Sequence, residues 1–481
     1  MRPRCHQTSA LRHDGALFAL ASLGLLASPA RAQTLPISAP PPAVEAPAAT
    51  PGEPVPPTTV GARPLASSVP SIAPRASATP PPSGAPLKVA PPEAPAELVT
   101  PPAVGGKAGP LPLPVVVTAE AGKGVTMRRE DDSFSMTLRG RLQLRDTVTV
   151  AGKATNELAV RTVRLVLQGH ALTPDLRYFV QFAFGPGDYE PGAPTPLFDA
   201  WVEYVGWRDA QVRVGQFFVP FDRARTIREH ALQLIDRQQV VVELNLDRDV
   251  GLMVSSNDLL GLGGRLAYAA GVFGGQGRNR TTAEKPGFLW VGRASVRPFG
   301  PFSDDVEGDL ERLPRPRLAV GVAAAYNENT KRQRSTTGET FVLDDYDYAH
   351  AAADLVFKYQ GFSFLGEALW RRAAAEVHVG TVDGESVSEW SRSGYGYLAQ
   401  AGLMLSRHVE AAARWNELFA YGLTDPAFAA QVSRQGREAS AGVNLYLNGH
   451  YLKLQADFTR RFGEAKAGAV SLLRFQFDGT F

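Results

Sequence analysis

From Phe134 onward, one pattern limits the folds open to this chain. Apolar and polar residues alternate with period two, in segment after segment. Phe134, Met136, Leu138, Leu142 and Leu144 interleave with Ser135, Thr137, Arg139, Arg141, Gln143 and Arg145. Leu452, Leu454, Ala456 and Phe458 interleave with Lys453, Gln455, Asp457 and Thr459, and the segment ending at Phe481 does the same with Leu473, Phe475 and Phe477. Successive side chains of a strand point to opposite faces, so each segment is a strand with one apolar and one polar face.

Such segments recur near 133–149, 157–170, 197–207, 210–219, 262–273, 434–447 and 467–481, among others. Their number is about sixteen, and each is long enough to cross a bilayer as a tilted strand. The connections alternate. Short turns fall around Thr173-Pro174-Asp175, Gln360, Arg407 and Asn448-Gly449, and long loops at 186–196, 327–346, 374–392 and 419–433. A barrel with tight turns on one side and long loops on the other produces this alternation. One connection, 298–315, is long where a short turn is due. A soluble sandwich also alternates, but the number of strands and the leader described next favour the membrane. The expected fold is all-β: a transmembrane antiparallel barrel.

Residues 1–32 read as a secretory signal peptide, with Arg2, Arg4 and Arg12 before the apolar run Ala16–Ala27 and a small-residue site at Ala30-Arg31-Ala32. Residues 33–115 are rich in Pro and Ala, with runs such as Pro40-Pro41-Pro42 and Pro80-Pro81-Pro82. With almost no aromatic residues they offer no core to offset chain entropy, so a disordered, extended linker is expected in the periplasm, free to contact the cell wall. We carry this linker to residue 125 and the barrel over 126–481. Cys5 is the only cysteine and falls in the leader, so the mature chain has no thiol for disulfides, metal or catalysis. The formal charge of +2 gives no support for a nucleic-acid partner. No histidine pair has metal-ligand spacing and no Ser-His pair stands at a convincing position on the rim, so neither a cofactor, a metal nor an enzymatic activity is expected.

The stretch 211–252 interrupts the alternation. A strand with Val212, Val214 and Phe218 breaks at Pro220. Ala224, Ile227, Ala231 and Leu234 then follow with helical spacing before a strand resumes at Val250. Arg223, Arg225, Arg228 and Arg237 lie in the insertion, with Glu229, Asp236 and Glu243 close enough to neutralise some of them. The insertion is either a surface excursion or a segment folded into a pore.

On the strand phases, Arg139, Arg141, Arg164, Arg177 and Arg213 face the polar side, and basic residues there outnumber acidic ones. A low-dielectric wall focuses such an excess on the interior. The bland alternative is that these arginines pair with inward carboxylates and simply hold the wall. Trp201, Tyr204, Trp207, Trp290, Trp370 and Trp415 suit the aromatic girdles of a membrane barrel.

Val214-Gly215-Gln216-Phe217, Pro220-Phe221, Ile235-Asp236-Arg237 and Asp247-Arg248-Asp249-Val250-Gly251, together with Arg161-Thr162-Val163-Arg164-Leu165, resemble the phosphate-selective porins O and P of Gram-negative outer membranes. The likeness runs over most of residues 130–481. It implies a sixteen-stranded homotrimer in outer-membrane lipid, with the third outer loop folded inward as a constriction. It also implies passage of small anions such as phosphate. The expected function is passive diffusion of small solutes with an anion bias, through a constriction carrying Arg223, Arg225, Arg228 and Arg237. The alternative is a structural barrel tethered to the cell wall by its Pro-rich arm.

Overall fold

The structure, a computed structural model, describes residues 114–189, 195–280, 285–465 and 468–481. The expected signal peptide and the Pro-rich stretch up to residue 113 lie outside the described residues. The first described element is a hairpin, β1 (Val115–Glu120) and β2 (Gly124–Arg129). It occupies the end of the segment assigned to the linker. The barrel begins with β3 (Phe134–Ala151), β4 (Lys153–Ala171), β5 (Thr173–Ala183), β6 (Leu197–Tyr204) and β7 (Gln211–Phe218). It continues with β8 (Arg248–Ser256), β9 (Leu266–Phe273), β10 (Leu289–Val296), β11 (Arg317–Thr330), β12 (Tyr346–Tyr359) and β13 (Phe362–Ala373). A separate hairpin, β14 (Val377–Val382) and β15 (Glu385–Trp390), rises from the sixth outer loop. The wall resumes with β16 (Gly394–Met404), β17 (Val409–Ala420), β18 (Arg437–Asn448), β19 (Leu452–Phe462) and β20 (Val470–Thr480). Each wall strand pairs antiparallel with the next, and β20 pairs with β3, closing a barrel of 16 strands. Closure satisfies every edge that lipid could not.

The alternation decides which face is which. On β19 and β20, Lys453, Gln455, Asp457, Arg474, Gln476 and Asp478 are buried inside, while Leu454, Phe458, Leu473 and Phe475 are exposed on the outer surface. Trp290 follows the girdle expectation and faces outward. Trp201 does not: it stacks on Phe179 at 5.4 Å, and both rings share the inner face with Asp199 and Glu203.

Two connections differ from the sequence reading. A loop was expected between 149 and 157. Instead β3 and β4 run to 18 and 19 residues and turn at Gly152, which has a φ of +80°. Glycine adopts that conformation at little cost. The long connection at 298–315 keeps the strand order intact and folds into the barrel. Its backbone carbonyls at Ser303, Val306 and Gly308 accept from Lys358 Nζ at 2.7, 2.9 and 2.8 Å.

Candidate channel constriction

The third outer loop, residues 219–247, folds into the lumen because its sequence is apolar where it meets the wall. Val219, Phe221, Ala224, Ile227, Ala231, Leu232, Val240, Val241, Leu244 and Leu246 are all buried in one cluster with wall residues Val356, Leu365, Leu369, Leu398 and Leu418. Each such side chain contributes roughly 1.5–3 kcal/mol when fully buried. Gly402 permits the closest approach: a Cβ there would stand 1.8 Å from Gln233 Nε2.

Helical spacing predicts a helix from 224 to 234. The loop holds only α1 (Arg223–Thr226), a 3₁₀ turn at Glu229–Ala231 and α2 (Gln239–Leu244). The reason is long-range. Glu367 on the wall accepts from the backbone N–H of Arg223 at 2.7 Å and of Ala224 at 3.1 Å, fixing the start of α1. Arg237 then donates to the carbonyls of Ala224 and Ile227, which a continuing helix would need for itself.

The four loop arginines therefore divide. Arg223 is buried and bridges Asp354 on β12 and Asp304 in the 297–316 turn. Arg237 is buried against the loop's own carbonyls. Both hold the loop in shape. Arg225 borders the lumen and is clamped by Asp247, with Nη2–Oδ2 at 2.6 Å. Arg228 is exposed to the lumen. Its guanidinium lies 4.7 Å over the Phe179 ring and makes no hydrogen bond or ion pair among the described residues.

The loop carboxylates do not neutralise these arginines as their proximity in sequence suggested. Glu229 pairs with Arg164 at 2.9 Å, Asp236 with Arg145 at 2.7 Å and with Arg474, and Glu243 with Arg371 at 2.6 Å. All four partners are on the wall. Asp247 serves Arg225 instead. Burial alone would raise its carboxyl, but Arg225 and Arg248 outweigh burial and hold it well below the usual carboxylate range.

Of the wall candidates, Arg141 pairs with Asp478 at 2.6 Å, and Arg164 bridges Asp188 and Glu229. Arg213 pairs with Glu203 at 2.7 Å and covers Trp201 at 4.3 Å. Among the described residues Arg139 reaches only the amide of Gln168, at 2.8 Å. Arg177 stands near the periplasmic end of β5, opposite His170 and Glu203, away from Arg139, Arg141, Arg164, Arg225 and Arg237, which share a cavity with Arg228. Sequence reading missed Arg248, which pairs with Asp199 at 2.9 Å and stacks on Phe198 and Phe218. Its signal was the Asp247-Arg248-Asp249 run itself.

Three adjoining cavities meet at Arg225 and Glu229. Two open toward the outer loops. The third, about 280 Å³, lies on the periplasmic side of the loop and reaches Tyr451 and Thr480. Its lining sets Arg139, Arg141, Arg164, Arg225, Arg228, Arg237 and Arg248 against one carboxylate, Glu229. These cavities thus lie mainly along the β3–β8 side, while the loop and the 297–316 turn pack against the opposite wall. Glu307 of that turn accepts from Gln233 N–H at 2.6 Å, locking the two together. Among the described residues no cluster of three or more His, Cys, Asp or Glu could hold a metal ion.

No curated protein matches the chain in sequence. Among solved structures, it is similar to the outer membrane channel DcaP of Acinetobacter baumannii, with 11% identity and a TM-score of 0.45 over 74% of this chain and 99% of that one. For Salmonella typhi OmpF in complex with daunomycin the figures are 12%, 0.49, 73% and 99%. For Pseudomonas putida OprB at high pH they are 10%, 0.46, 73% and 95%. The family model of phosphate-selective porin O and P matches residues 136–400, more than half of the chain. With a closed barrel, an inward third loop and a polar lumen behind that match, the chain belongs to the phosphate-selective porin O and P family and is an outer-membrane porin.

Proposed function

We propose that this porin passes small solutes by passive diffusion and prefers anions, phosphate among them. One observation carries the reading: among the described residues, Arg228 and Arg139 in the inner cavity have no carboxylate partner and Arg237 meets only loop carbonyls, while Arg141, Arg164, Arg225 and Arg248 are each paired with one. In a narrow, low-dielectric channel an unmatched positive charge raises the local concentration of anions. The test is the reversal potential of the purified protein in a planar bilayer across a KCl gradient. Chloride preference is the expected sign, and a potassium preference would refute the reading. In the outer membrane we read the barrel as one subunit of a homotrimer with its Pro-rich segment in the periplasm. Sedimentation of the detergent-solubilised protein tests the subunit number.

The selectivity also depends on pH. Burial pushes the Asp222 carboxyl up to about 7, against the pull of the Arg225 N–H and of Arg225, Arg237 and Arg293. Below that pH the group is neutral, and above it adds a negative charge beside Arg225 and Arg237. Anion preference is therefore expected to fall as pH rises from 6 to 8, and Asp222→Asn to flatten the change. His230 and His450 add no step in this range, because burial and neighbouring cations hold both imidazoles below their usual value, His450 at about 3. An unchanged reversal potential across that interval in the intact channel would remove Asp222 from the account.

A further inference from the structure

The inner cavity is not uniformly polar. Val166, Phe198, Phe218 and Tyr451 stand between its arginines. Arg248 lies 3.9 Å from the centre of the Phe198 ring and 3.7 Å from that of Phe218. Arg164 lies 4.7 Å from the Phe198 ring. Arg228 covers Phe179, which itself stacks on Trp201. Aromatic rings thus pave this wall and arginines rest on them.

That arrangement favours one kind of anion. A guanidinium resting on a ring presents a planar set of donors that matches a carboxylate, and it is more weakly hydrated than an ammonium. The two lumen lysines, Lys358 and Lys453, are turned away from this role. Lys358 is held by three carbonyls of the 297–316 turn, and Lys453 donates to Leu232 O at 2.8 Å. Arg228 stands within electrostatic reach of Arg139, Arg164 and Arg248. An anion drawn to these arginines meets apolar surface beside them. A bare oxyanion gains nothing from that surface, whereas an anion with an apolar body removes area from water.

We propose that the inner cavity is a binding site for aromatic carboxylates, with the carboxylate between Arg228 and Arg139 and the ring against Phe218 and Val166. This rests on the anion reading above and narrows it to a ligand class.

The test uses the full-length protein in planar bilayers in KCl, titrated separately with sodium benzoate, sodium acetate and sodium phosphate. Acetate carries the same carboxylate without the ring. Benzoate is expected to reduce the chloride current with a midpoint roughly tenfold below those of acetate and phosphate. Phe218→Ala raises the benzoate midpoint toward that of acetate, and Phe218→Leu, which keeps apolar bulk, retains part of the difference. Equal midpoints for benzoate and acetate, or a phosphate midpoint below that of benzoate, in a channel that prefers chloride overturn the ring site and leave the anion reading standing. A channel that prefers potassium overturns both.

Discussion

Glu243→Ala is expected to destabilise the barrel by about 3–5 kcal/mol, the range for stranding one partner of a buried ion pair. Glu243 on α2 is the shared acceptor for three arginines of different elements. Arg371 on β13 reaches it at 2.6 Å, Arg392 at 3.2 Å and Arg334 at 3.9 Å. Arg371 is fully buried, and its other bonds go to the carbonyls of Glu243 and Arg392. Without the carboxylate, Arg392 keeps Asp425 at 3.2 Å, but Arg371 is left with carbonyls alone and cannot reach water. Urea unfolding of the purified protein in detergent, followed by tryptophan fluorescence, measures the loss. Single-channel recording supplies a second readout. With α2 released from the wall, the current becomes larger and noisier. A loss below about 1 kcal/mol would mean that the cluster is solvated and behaves as surface pairs do.

Arg228→Glu is expected to have the largest effect on selectivity. It replaces the lumen-exposed guanidinium by a carboxylate among Arg139, Arg164 and Arg248. A change of two charge units in a water-filled lumen, screened by salt, shifts the chloride-to-potassium permeability ratio by roughly tenfold. The shift shrinks as KCl is raised. Arg223→Gln is the contrasting case. Its partners are Asp304 and Asp354, and each keeps a second arginine, Arg297 and Arg293. It should therefore alter the loop's anchorage far more than the charge seen by a passing ion. Equal shifts of reversal potential from the two substitutions would contradict this division of the loop arginines.

The wall of the barrel is legible in the sequence because its two faces meet different solvents. Each strand carries that difference residue by residue, as Lys453, Gln455 and Asp457 do against Leu454 and Ala456. The inward third loop is legible through the likeness to the porin family, while the residues alone leave a surface excursion open. The roles of its arginines are not. Arg223 and Arg228 lie five positions apart and look alike, yet one meets Asp304 and Asp354 and the other a phenyl ring. Those partners are remote in sequence and share no local pattern with it. The same holds for the missing helix: the spacing of Ala224, Ile227 and Ala231 permits one, but Arg237 takes the carbonyls. The 297–316 turn is detectable as an irregularity in loop length. That it would rise to meet Gln233 depends on Glu307, which accepts from Gln233 N–H, and on Lys358, which holds the turn's carbonyls, and no spacing announces either contact.

The seam between β20 and β3 has a bearing on how this barrel is assembled. Arg141 pairs with Thr480, and Gly140 exchanges both backbone hydrogen bonds with Phe481, at 2.7 and 2.9 Å. The Phe481 ring lies over residue 140, where a Cβ would stand 2.3 Å from it, so a larger residue there would displace the terminal ring. These partners are separated by almost the entire wall, so the seam is the costliest contact to form and a late one. Until then the first wall strand presents an open edge, the kind that invites pairing with other chains. Part of that edge is covered early: β2 pairs with Ser135–Leu138 only a short distance along the chain. With Ser135–Leu138 covered by β2, only Arg141–Val150 of that edge is left for β20 to close.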